Sequence, residues 1–175
     1  MAVLESKRTL STLEFYKNAI YLRKSIAFLL MRDLGTKSKV RDYKYMTRGM
    51  DEKDAAALTE IMQKYHYARM KAEWPAWVIV KLRNSIWELM RDMMINITHA
   101  YTIWATCRAE ADERRVMQDR AIGDCESILK ELEFAIEILP IDVNKYKTQT
   151  ELIIKEIKLL KGWRKADNKR FRDLK

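Results

Sequence analysis

Two histidines, two cysteines and one cluster of carboxylates are the residues best suited to covalent or metal chemistry, and each set lacks the spacing that chemistry requires. Metal catalysis inside a helical bundle uses Glu-x-x-His pairs, which put carboxylate and imidazole on one helical face. Here Gln63 stands three residues before His66, and Asn96 three before His99. There is no Cys-x-x-Cys, and two isolated histidines cannot complete a zinc set. Cys107 and Cys125 both fall inside apolar helical patterns. Along one helix they would lie about 27 Å apart, too far to bridge, so the expectation is two buried free thiols in a reducing cytoplasm. Glu110, Asp112 and Glu113 cluster near the start of a helix, where the dipole favours carboxylates without any catalytic role. The glycines, Gly35, Gly49, Gly123 and Gly162, stand alone, which excludes the common phosphate-binding loops and the nucleophile elbow. The expectation is a protein that is not an enzyme and carries no metal or cofactor.

The charged residues point instead to a polyanion. The net charge of +9 is uneven: residues 1–50 carry +7 and residues 140–175 carry +6, while residues 108–139 carry −4. In one basic stretch Lys37, Lys39, Arg41, Lys44 and Arg48 alternate with Tyr43 and Tyr45. In the other Lys161, Arg164, Lys165, Lys169, Arg170 and Arg172 are interleaved with Trp163 and Phe171, against Asp167 and Asp173. Cations engage phosphates, and a ring stacked on an unpaired base is worth about 1–3 kcal/mol. These residues are the candidate nucleic-acid contacts, and they do not separate RNA from DNA. The competing reading of such runs is a solvated chain end.

Long amphipathic helices must position these groups. With only 4 glycines and 2 prolines, the chain has too few turn-formers for a sheet protein, and 48% apolar with 34% charged residues suits helices that bury one stripe. The expected fold is all-α: an antiparallel up-down four-helix bundle over 51–165, preceded by one additional helix and a basic linker in 1–50, and followed by a basic tail over 166–175. A capping box at Ser11 and Glu14 should start the first helix, whose apolar rows are Phe15, Ala19, Leu22, Ile26, Leu29 and Tyr16, Ile20, Ala27, Leu30, Leu34. A second helix is expected from Asp51 to Glu73, broken by Pro75, and a third from Ala76 to Cys107 with a seam of Leu82, Ile86, Leu89, Met93, Asn96 and Ala100. The fourth, Arg108 to Leu139, has the cleanest seam: Ala121, Cys125, Ile128, Leu132, Ala135, Leu139. Extended backwards, this seam reaches Gln118 and Arg114: either the seam rotates slightly and leaves Arg114 at the rim, or the two residues form a polar layer near Asn96 that fixes register or lines a subunit interface, and a buried Arg114 would need a carboxylate partner. Asp142 should cap the last helix, with its seam of Tyr146, Thr150, Ile153, Ile157 and Leu160 and its end near Gly162. Apolar residues on the first and third helices exceed what one narrow bundle hides, so self-association is expected. The N-terminus has no apolar signal segment, and the run from Ile26 to Met31 is far too short to span a bilayer, which points to a soluble cytoplasmic protein.

Trp74-Pro75 before a long helix, Leu82-Arg83, Ala100-Tyr101, Arg114-Arg115 and the closing Gly162-Trp163-Arg164-Lys165 together resemble one family. It is the four-helix-bundle family of the accessory variability determinant of diversity-generating retroelements, with relatives encoded in intervening sequences of ribosomal RNA genes. The resemblance covers about residues 55–165. It implies a basic homopentamer without catalysis of its own, binding a reverse transcriptase and its template RNA and supporting mutagenic cDNA synthesis. Lys161 stands where that family often has a second glycine, and residues 1–50 have no counterpart in its compact members. The alternative is a structural or assembly protein binding ribosomal RNA or a protein partner. A hydrolase or transferase built on carboxylates alone ranks behind both.

Overall fold

In the computed structural model the described residues are 9–35, 49–65, 68–139 and 141–174. They form five α-helices and no strand: α1 Glu14–Met31, α2 Glu52–Lys64, α3 Ala68–Thr102, α4 Arg108–Ile138 and α5 Lys147–Arg170. One apolar core joins α1, α3, α4 and α5. Contacts between side chains set the direction of each neighbouring pair. Phe15 lies on Trp163 while Tyr146 donates to the Leu34 carbonyl, so α1 and α5 run antiparallel. Asn96 bonds Asp124 while Arg114 reaches the Ile103 carbonyl, so α3 and α4 also oppose. Lys161 with Glu126, and Gln118 with Asp167, give the same sense for α4 and α5.

The α4 seam is buried along its whole length, from Arg114 and Gln118 through Ala121, Cys125, Ile128, Leu132 and Ala135 to Leu139. On α1 the first apolar row is buried in full, and of the second row Leu30 and Leu34 are buried while Ile20 is exposed. The chain turns after α1 through left-handed backbone at Asp33, Leu34 and Gly35, where Tyr146 holds the Leu34 carbonyl at 2.6 Å.

Several elements differ from their sequence expectation. The first helix was expected outside the bundle, yet its buried row shares one core with α3, α4 and α5, whereas α2 buries only Met62. An 18-residue helix with two apolar rows hides more surface than the polar 13-residue α2 can. Ser11 is not a cap: it lies in a 3-10 turn, Leu10–Thr12, and its hydroxyl bonds that of Thr9, while Leu13 precedes α1. The helix break falls near residue 65, and α3 runs through Pro75. A proline removes one hydrogen bond from a helix, and the other bonds of a 35-residue helix can carry that loss. The α3 seam shifts by one residue at Met90 and Ile97, leaving Leu89 and Asn96 half-buried. Asp142 caps a 3-10 turn, Val143–Tyr146, which leads into α5. Helix α5 passes Gly162 without a break and ends at Arg170, so the first half of the expected tail is helical.

Candidate nucleic-acid interface

Asp167 holds the last turns of α5 in place. Counting on from Leu160 in steps of three and four reaches Trp163 and then Asp167, so the carboxylate arrives where a core residue would stand. Arg114 Nε donates to Asp167 Oδ2 at 2.7 Å, and Gln118 Nε2 donates to the same oxygen at 2.7 Å. Arg114 also donates to the Ile103 carbonyl at 2.8 Å. Its guanidinium lies 5.2 Å from the Trp163 ring centroid and 5.8 Å from that of Phe171. A buried guanidinium without a carboxylate would cost several kcal/mol, and this pairing removes that cost. Trp163 is also covered by Phe15, stacked at 4.3 Å and nearly parallel. It is therefore a packing residue and does not offer the base-stacking face that its place among cations suggested.

Of the six C-terminal cations two are ion-paired, three are not, and Arg170 lies against aromatic rings. Lys161 pairs with Glu126 of α4 at 3.0 Å, and Arg164 pairs with Asp119 of α4. The acidic segment 108–139 lies antiparallel along basic α5, so these two cations are partly neutralised. Lys165, Lys169 and Arg172 are exposed and have no ion-pair partner among the described residues. Lys158, the first residue of the basic C-terminal stretch, is exposed in the same way. Spacings of seven and four put Lys158, Lys165 and Lys169 along one outward face of α5, and Arg172 follows in the turn after the helix ends at Arg170. That row is visible in the sequence only if α5 is carried through Gly162.

Arg170 stands beside this row, its guanidinium 4.9 Å from the Trp104 ring centroid and 5.2 Å from that of Phe171. Trp104 is 62% exposed in the connection between α3 and α4, not in a core seam, so it is the open ring next to the cations. The other candidates, Lys37, Lys39, Arg41, Tyr43, Lys44 and Arg48, lie outside the described residues, as does Tyr45.

Two buried groups complete the polar interior. Glu156, fully buried on α5 one position before the expected seam residue Ile157, accepts from Asn18 Nδ2 at 2.6 Å. Burial pushes its carboxyl up to about 7, against the lowering influence of Asn18 and Lys155. Cys125 Sγ lies 3.3 Å from Met93 Sδ, and burial raises that thiol well above its usual value. Cys107, expected in the core, is exposed because α3 ends at Thr102 and leaves it at the start of α4. Among the described residues no group of three His, Cys, Asp or Glu side chains could hold a metal ion, and no helix is long and apolar enough to cross a membrane. No family model, curated protein or solved structure matches the chain.

Proposed function

We propose that the chain is a non-enzymatic accessory protein that binds RNA through the outward face of α5. The observation that carries this reading is a set of exposed cations without an ion-pair partner among the described residues, Lys158, Lys165 and Lys169 on α5 and Arg172 just beyond it, with Arg170 and exposed Trp104 beside them. Phosphate contact is the chemistry such a row offers, and an open tryptophan can stack on an unpaired base. Following the resemblance of residues 55–165, the partner is a reverse transcriptase with its template RNA, and the role is support of mutagenic cDNA synthesis in a diversity-generating retroelement. The scaffold is a four-helix bundle of α1, α3, α4 and α5, acting in the cytoplasm.

A homo-oligomer, a pentamer if the resemblance extends that far, fits the apolar surface left open on two neighbouring helices. Ile20, Tyr21, Phe28 and Met31 of α1, and Trp77, Val80, Trp87 and Ile95 of α3, all stay exposed. The same surface favours the second reading, an assembly protein whose cations serve an acidic partner or solubility. Binding to a structured RNA, measured across salt concentrations, separates the two. Five cations of this face engaging phosphates would give a slope of log affinity on log salt steeper than about −3. A flat response, or no binding at low salt, would favour the assembly protein.

A further inference from the structure

Helix α3 carries a second seam on the side away from the core. Trp77, Val80, Asn84, Trp87, Arg91 and Ile95 follow one another in steps of three and four, and all six are exposed. The four apolar ones are 42–59% exposed, while the buried seam of the same helix, from Ile79 to Ile97, uses the opposite side. An apolar stripe with this period is what one helix offers to another lying along it at a shallow angle. Among the described residues α1 reaches its edge, where Arg23 lies 5.5 Å from the Trp87 ring centroid, and the stripe itself stays open.

The polar residues on and beside the stripe say what covers it. Asn84 lies near the middle, and its amide, donor and acceptor at once, is complementary to a second Asn84. A single asparagine in an apolar seam fixes register in this way. Trp77 stands seven residues before Asn84, and Arg91 seven after it. A two-fold axis at Asn84, with the helices running in opposite directions, therefore sets each Arg91 on the partner's Trp77, a cation–π contact. Lys81 and Glu88 share one flank of the stripe, three residues before Asn84 and four after it, so the same axis brings each Glu88 to the partner's Lys81. Among the described residues these two have no ion-pair partner, and Arg91 bonds its chain neighbour Asp92 at 3.0 Å. Helices running the same way would instead set Arg91 against Arg91, two like charges in the seam.

We propose that the exposed face of α3 pairs with α3 of a second copy of this chain, antiparallel about a two-fold axis at Asn84. The proposal deepens the self-association reading above and does not depend on RNA binding. A two-fold pair of this kind closes at two copies, so it gives a dimer and not the five-membered ring that the resemblance implies. Helix α5 packs against α1 and α4, on the far side of the bundle from this face, so the pairing leaves the α5 cations open in both copies.

The test is sedimentation equilibrium of the full chain and of three variants, Lys81→Glu, Glu88→Lys and the two changes together. These positions are exposed, so helicity should stay that of wild type in all three. Wild type should sediment with twice the mass of the chain. Each single reversal should weaken the dimer at least about tenfold, because it sets like charges together at both ends of the pair. The double variant restores opposite charges and should return to within about threefold of wild type. A chain that stays monomeric at about 100 μM would overturn both this pairing and the self-association reading. A mass of five chains, or a dimer that neither single reversal weakens, would overturn the α3 pairing and leave self-association standing. Weakening by both reversals without rescue in the double variant would overturn the antiparallel register.

Discussion

Glu156, a buried carboxyl, should make the stability of the fold depend on pH. It is fully buried between α5 and Asn18 of α1, near Cys125 of α4, and burial lifts it from its ordinary value of 4.5 to about 7. The folded chain therefore holds this proton more tightly than the unfolded chain does. The resulting stability is fully present below about pH 4.5 and is lost as pH rises through about 7. The swing is on the order of 3 kcal/mol. Glu156→Gln should flatten this part of the stability profile and make the protein more stable than wild type at pH 8, as followed by denaturant unfolding between pH 4 and 9. A variant that keeps the full slope would show that another group is responsible. Periodicity did not reveal Glu156, because Ile157 beside it is the better apolar candidate, and a buried carboxylate contradicts the pattern used to find seams. Arg114 and Gln118 were located as a backward extension of the α4 seam, but whether Arg114 sits at the rim or inside was open until its burial against Asp167 was seen. Their partner Asp167 was hidden among cations that made it look like tail solvent charge.

At the scale of elements, α4 was read from sequence almost residue for residue, since its small and aliphatic residues repeat in steps of four and three with no competing row. Leu132→Ala should cost about 2–5 kcal/mol in unfolding free energy, because the fully buried site cannot collapse. A loss below about 1 kcal/mol in denaturant titration would show that the seam packs loosely. Helices α1 and α5 were located but misassigned at the level of role and length. Glycine and proline act as helix breakers only on average, and tertiary contacts overrode both here: α5 continues past Gly162 to the Asp167 anchor, and α3 continues through Pro75. The two apolar rows of α1 had announced a well-buried helix. Sequence alone did not say that it would replace α2 against the core, because that depends on which helices meet in space.

For the molecule as a whole, the proposed function needs a helical scaffold that keeps one cationic face open. The charge segregation behind it was legible in the sequence, but its outcome depended on packing. Acidic α4 lies along α5 and takes up Lys161 and Arg164, while the outward row keeps its charge. The most direct test replaces Lys158, Lys165, Lys169, Arg170 and Arg172 together by glutamine and repeats the salt titration of RNA binding. These side chains are exposed, so helicity and melting temperature should remain close to wild type. The account predicts a loss of affinity of at least about tenfold at low salt and a shallower dependence on salt. Wild-type affinity with an unchanged slope in a folded variant would contradict it.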